Sequence, residues 1–441
     1  MEQTVSHISN LQYYMAIAIF LFTYAILITE KMNRAVIALL GGSLMVVFGI
    51  VETKAAFTTH IQWETITLLL GMMILVNISS KSGVFEFLSI YAAKKAKGKP
   101  IRILIILSLL TALGSAFLDN VTTVLLIVPV TLSITRILEI SPMPFFISEI
   151  LFSNIGGTAT LIGDPPNIMI ASANKHLDFN SFLFNLAPII IIIALVSLVL
   201  LYIIYSRSIK TSKHLVEKLM QLHEQDYIKD RKLLIQSLSV LGATIIGFTL
   251  QSVIHVDAAV IAITGATILM AIALKQHEVE DVLSQIEWTT IFFFAGLFVL
   301  VGGLVDIGLV QMLAQKMIGM TNGNIQTAAT FILWGSGVAS AIVDNIPFVA
   351  TMIPLIQNFA VGLGMQPDAP QMEVLWWALS LGACLGGNGT IIGASANVVV
   401  AGIANREGHG FGFMDYLKIG LPLTIVALLL SNAYLYIRFF L

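Results

Sequence analysis

The chain is poor in charge. Of 441 residues, 23 are Lys or Arg and 25 are Asp or Glu, 11% together, against about 25% in soluble domains. A water-facing surface for a chain of this length needs far more. The shortage excludes a soluble enzyme, a disordered chain and a nucleic-acid binder. Cysteine is nearly absent: Cys384 stands alone, which excludes an internal disulfide framework and a cysteine-based structural zinc site. It reads as a small apolar packing residue. Residues 1–11 hold no Lys or Arg, so the basic segment of a cleavable signal peptide is missing. What the chain has instead is 57% hydrophobic residues. That excess must face lipid.

A spanning helix needs about 20 mostly apolar residues. Runs of this kind predict helices near 12–29, 35–51, 63–80, 182–205, 234–252, 257–274, 288–305 and 415–438. Four further apolar stretches, 102–138, 145–174, 326–364 and 374–404, carry a polar or Gly-rich interruption near the middle. The longest polar segment, 206–232, holds seven basic residues and reads as a cytoplasmic loop.

That loop divides two halves that resemble each other. IQWETITLLLGMMILV (61–76) matches IEWTTIFFFAGLFVLV (286–301), and SAFLDNVTTVLLIVP (115–129) matches SAIVDNIPFVATMIP (340–354). GGTATLIGDPPN (156–167) matches GGNGTIIGASAN (386–397), and AVIALLGG (35–42) matches AVIAITGA (259–266). The matches are collinear, and two of them keep polar residues in register. The chain therefore reads as a first repeat over 12–205, a linker over 206–233 and a second repeat over 234–438.

Charge tests the relative orientation of the repeats. If each half crosses the membrane five times, the second half is inverted. With 206–232 inside, 19 of the 23 basic residues then fall inside, and only Lys54, Lys175, Lys316 and Arg438 fall outside. This bias favours about ten crossings, inverted repeats and both termini outside.

Within such a frame, polar residues at membrane depth carry the function. An ionisable group there costs roughly 2.5–3.5 kcal/mol on insertion scales and normally faces the bundle interior. Asp119–Asn120 and Asp344–Asn345 sit between long apolar runs at matching places, where inverted repeats meet. They read as an ion or proton site. The same pairs also read as helix N-caps. Gly156 and Gly157, repeated as Gly386 and Gly387, permit unwound backbone whose carbonyls coordinate a cation. Ser153, Asn154, Thr158, Thr160 and Asn167, with Asn388, Thr390 and Asn397, offer side-chain oxygens to a hard cation. The sodium ligands expected here are Asn120, Thr158, Asn345 and Asn388. Asp164 breaks the symmetry, since its counterpart is Ala394; it reads equally as a proton carrier or as a cap of the helix begun by Pro165. Glu149, His255 and Asp257 are weaker candidates. No Lys or Arg lies in the core of an interrupted segment, which favours a cation, a proton-coupled ion or a neutral weak acid over a multivalent organic anion.

At these residues, above all FLDNVTTVLLIVPVT and SNIGGTATLIGDPPNIMIASAN, the chain resembles the ion transporter superfamily. The likeness is strongest to its ArsB/NhaD branch and to P protein-like permeases, and it spans nearly the whole chain. The dicarboxylate branch has a Ser-Asn-Thr tip where this chain has Asp119-Asn120-Val121, which counts against dicarboxylate transport. The resemblance implies an all-α polytopic membrane protein. Residues 102–138 and 326–364 would be re-entrant hairpins, and 145–174 and 374–404 broken helices. Together these would form a transport domain moving against a scaffold that pairs into a homodimer.

The leading expectation is a secondary ion transporter in a bacterial cytoplasmic (inner) membrane. It would carry a small inorganic ion by sodium/proton exchange or by arsenite or antimonite efflux. Sodium or a proton would be the coupling ion and no cofactor is required. A soluble ATPase partner stays open. An anion or dicarboxylate permease and a passive channel are alternatives; an intramembrane aspartyl protease is a remote one, since it would not need the duplicated Gly-rich element.

Overall fold

The computed structural model describes residues 9–29 and 31–441; the N-terminal stretch read for a signal peptide lies largely outside them. The described chain is helical throughout. In lipid each backbone N–H and C=O must be paired within the segment, and helices do this locally. Among the described residues, ten helices have the length and hydropathy to cross a membrane, from Asn10–Thr29 to Phe413–Phe439. The chain is an integral membrane protein. The run at 35–51 forms a shorter helix, Arg34–Val47. It is closed by a turn at Gly49, with φ +64°, in which Ile50 N donates to Met45 O.

The two interrupted stretches around Asp119 and Asp344 fold as helical hairpins. Pro100–Phe117 and Asn120–Ile137 are joined only by Leu118 and Asp119 in extended conformation. The chain enters and leaves on one side. Gly98, before the first arm, packs on the Val216 side chain, and Leu138 O, after the second, accepts from Thr211 Oγ1 at 2.7 Å. Ile325–Ile342 and Asn345–Gly362 repeat the design, with Gly323 packed on Leu363 at the base. The tips meet in the centre, where Asn120 and Asn345 both donate to Asp164. Each hairpin is followed by a broken helix. Met143–Gly157 restarts as Pro165–Ala173, and Glu373–Gly386 restarts as Ser395–Arg406.

The halves are interwoven rather than side by side. Trp288–Asp306 packs along Arg34–Val47, and Trp63–Ser80 along Ala258–Ala273. A Cβ on Gly296 would lie 2.4 Å from the Ala38 backbone, and one on Gly71 would lie 2.7 Å from the Ala262 backbone. Gly71 and Gly296 are repeat equivalents, as are Ala38 and Ala262. Close backbone approach between small residues replaces the hydrophobic drive that lipid removes.

The basic segment 206–232 is not a free linker. It carries the helix Lys213–Met220, with Leu219 fully buried. Lys229 N donates to Ser82 O at 2.9 Å, and Lys94 pairs with Glu224. The Lys94 ammonium holds the Glu224 carboxyl below its usual range. A depressed value in the folded state means that the pair supports docking above the ordinary carboxylate pKa of about 4.3. That support is lost as pH falls through the depressed value. Lys94→Gln is expected to speed amide exchange across 213–228 at neutral pH. Unchanged exchange would mean that buried Leu219 and the Lys229–Ser82 bond hold the segment without the ion pair.

Candidate transport site

The centre of the molecule is organised around Asp164. It is fully buried and occupies the cap position of Pro165–Ala173, yet its side chain makes no cap bond. Pro165 and Pro166 leave fewer N–H groups there to cap. The carboxylate instead accepts from Asn120 Nδ2 at 3.4 Å and Asn345 Nδ2 at 3.3 Å, one amide from each hairpin tip.

Asp119 and Asp344 are caps. Asp119 accepts from Thr122 N at 2.8 Å and from the Thr122 hydroxyl. Asp344 accepts from Ile346 N at 3.1 Å and from Ser395 Oγ at 2.7 Å. Asp119 borders the centre all the same, and Asp344 flanks it. A cavity of about 20 Å³, lined by Asp119, Asn120, Asp164, Asn345, Glu287 and Arg34, has room for one water-sized species. A second cavity, about 300 Å³, adjoins it at Arg34 and Ser395 and is lined by Asp344. It runs to Met32, at the start of Arg34–Val47. On the far side of the broken helix the matching space is about 40 Å³. There Lys175 pairs with Glu64 and, at 3.8 Å, with Asp257.

An amide network ties the two halves together behind this cavity. Asn154 Nδ2 donates to Asn388 Oδ1 at 2.8 Å and Asn397 Oδ1 at 2.9 Å, while Asn154 Oδ1 accepts from Asn120 at 3.0 Å. Asn388 Nδ2 donates to Leu151 O at 3.1 Å. Asn167 and Asn397 each donate to a carbonyl of their own broken helix, Thr160 O at 2.8 Å and Thr390 O at 2.9 Å. Buried networks this fully paired are rigid.

The hydroxyls face elsewhere. Thr160 donates to Ala116 O and Thr390 to Ala341 O, equivalent bonds in the two repeats. Thr158 donates to Asn154 O and Ser153 to Ile150 O. The expected sodium ligands therefore divide. Asn120 and Asn345 converge on the small cavity; the Thr158 hydroxyl and the Asn388 amide are engaged behind it. Gly156, Gly157, Gly386 and Gly387 lie in helix contacts rather than on the cavity wall. Glu149 is buried between the second hairpin arm and the broken helix, bonded to Thr131.

Sequence reasoning missed Arg34, Glu287, Thr290 and Ser395. Arg34 reaches Asp344 at 3.5 Å, bonds Ser395 and donates to Thr290 Oγ1 at 3.3 Å. Thr290 Oγ1 in turn donates to Glu287 at 3.0 Å. Arg34 and Glu287 lie on scaffold helices, outside the interrupted segments. Their only trace in the sequence is a charge where the other repeat has none: Ala258 is equivalent to Arg34 and Gln62 to Glu287.

Comparison with known proteins agrees with this architecture. The chain is 42% identical over 428 residues to a transporter of Mycobacterium tuberculosis, covering 96% of this chain and 98% of the relative. It is 35% identical to the P protein of Mus musculus over 96% of this chain and 60% of that longer protein. The YdaH transporter of Alcanivorax borkumensis shares the fold, with a TM-score of 0.59 at 15% identity over 97% of this chain and 98% of the other. The family model described as citrate transporter matches residues 24–382. The chain is a membrane transporter, not an enzyme, and belongs to the citrate transporter family.

Proposed function

We propose that the protein is a secondary ion transporter of the ArsB/NhaD type, exchanging sodium for protons by alternating access. The observation that carries this reading is the small central cavity. Asp164, Asp119 and Glu287 border it, Asp344 flanks it, and Arg34 is the sole cation beside them among the described residues. Four carboxylates against one guanidinium attract a cation or protons and repel a free multivalent anion. Asp164 and the Asn120 and Asn345 amides form the core of the ion site, with Asp119, Glu287 and Asp344 at its edge, where an arriving cation meets them first. Alternating access is supported by the unequal cavities, wide beside Arg34 and narrow behind Lys175.

In this reading the hairpins and broken helices move as one transport domain. The basic loop 206–232 is cytoplasmic, both termini lie outside, and two copies pair through the scaffold. Arsenite efflux fits less well. Cys384 is the single thiol of the chain; it is buried 3.7 Å from Asn167 Oδ1 and cannot by itself supply a multi-thiol site. A second reading, an organic-anion permease, is favoured by Arg34 at the mouth of the larger cavity and by the family's description.

Proteoliposomes with an internal pH dye separate the two readings. An inward sodium gradient is expected to drive protons outward with no organic anion present. A dye that responds only when citrate is added would overturn exchange in favour of the permease.

A further inference from the structure

Arg34 has a place in the fold that its charge alone does not explain. It is the first residue of a scaffold helix, whereas its partners Asp344 and Ser395 belong to a hairpin tip and to the restart of a broken helix. The ion pair therefore crosses from the fixed part of the molecule to the part proposed to move. The fold does not require it. In the other repeat the equivalent of Arg34 is Ala258, that of Ser395 is Pro165, and Asp119 is held by Thr122 of its own helix. The pair is also loose. At 3.5 Å it is longer than a tight charge-assisted bond of roughly 2.7–2.9 Å. The two side chains keep 31% and 24% of their exposure, and the 300 Å³ cavity lies against both. The guanidinium rests over the Phe293 ring at 5.5 Å, a second seat it keeps when Asp344 lets go.

The charged groups facing this pair are Asp119 on the first hairpin tip, Asp164 at the broken helix and Glu287 on the scaffold. Among the described residues, no other cation lines the two cavities. Beside its hydrogen bonds from Ile346 N and Ser395 Oγ, Asp344 thus has one resident counter-charge in a strongly negative surrounding. A sodium ion arriving at Asp344 replaces the guanidinium as its counter-charge, and a proton removes the charge that the guanidinium holds.

We propose that Arg34 is a tethered counter-ion that the transported cation must displace from Asp344. The empty transport domain is then held to the scaffold, and the loaded one is released. This rests on the cation-exchange reading above and adds the device that prevents the empty domain from moving.

Two measurements test it. In purified protein, sodium is titrated against thermal unfolding. Arg34→Gln is expected to lower the half-saturating sodium concentration roughly fivefold, what one partly exposed ion pair is worth, and Arg34→Lys to stay near wild type. An unchanged midpoint overturns the proposal. A raised midpoint overturns it too and makes Arg34 the seat of an anionic co-substrate. The second measurement needs no ligand. Spin labels on the scaffold and on the second hairpin report their separation, and both Arg34→Gln and Asp344→Asn are expected to broaden it toward longer distances. An unmoved distribution in both variants overturns the tether. A wild type that ignores sodium and pH would sink the exchange reading, while the distance measurement still judges Arg34.

Discussion

Asp164→Asn is expected to abolish coupled transport while the protein still folds. The substitution keeps the shape of the side chain and removes its charge. No cap is lost, because the Asp164 side chain makes none. What is lost is the charged acceptor shared by Asn120 and Asn345. An amide oxygen in the place of Asp164 Oδ1 can still accept from both neighbours, but it is uncharged, and an NH2 donor replaces the Oδ2 that Asn345 also reaches. Hydrogen bonds to charged groups contribute about 1.5–3 kcal/mol each, about ten- to a hundredfold in affinity. The drop in sodium-driven proton flux should reach about a hundredfold.

Asp119→Asn provides the contrast. Asn caps helices nearly as well as Asp, so the Thr122 bond survives in the variant, and the lost charge lies at the edge of the cavity. Its flux should fall distinctly less. Equal losses in the two variants would put the ion on the hairpin tips, and undiminished coupling in Asp164→Asn would remove Asp164 from the site.

This ordering of acids inverts the one the sequence suggests, for a physical reason. Asp119 and Asp344 stand out because they recur in both repeats. Recurrence also marks structural necessity: each hairpin needs a cap where its second arm begins, and each Asp supplies one. Asp164 is legible only as a break in symmetry against Ala394. The threonines illustrate the same point. Thr160 and Thr390 look like ion ligands, yet each donates to a carbonyl at the end of the adjacent hairpin arm, where the helix leaves that group unpaired. Arg34 and Glu287 could not be placed at the centre from the chain, because they reach it from outside the interrupted segments, Arg34 far in sequence from Ser395 and Glu287 far from Asp119. The hairpins also exceed what length can decide. Their 18-residue arms are apolar enough to cross, and tertiary contacts such as Gly98 with Val216 fix only that each hairpin has both ends on one side.

Gly156→Ala is expected to destabilise the fold and stop transport together. A Cβ at Gly156 would lie 2.1 Å from Ala112 O and 2.5 Å from Ala112 Cα. Both are backbone atoms of the first hairpin arm, so no rotamer change relieves the clash. The helices must separate instead. The bonds from Ser115 Oγ to Ser153 O at 2.6 Å and from Asn120 to Asn154 at 3.0 Å cross this interface and would stretch with it. Overpacking of a tight contact costs typically 1–3 kcal/mol, and the strained polar bonds carry it to about 3 kcal/mol or more. The repeat equivalent behaves alike: a Cβ at Gly386 would lie 2.5 Å from Gly337 O, and Ser340 Oγ donates to Ala383 O at 2.6 Å. Because that approach is less close, Gly386→Ala should lower the melting temperature less than Gly156→Ala. These paired contacts join each hairpin to its broken helix through backbone, which is what a transport domain moving as one body requires. A Gly156→Ala protein with wild-type melting and flux would show that hairpin and broken helix shift independently, and the single moving body would have to be given up.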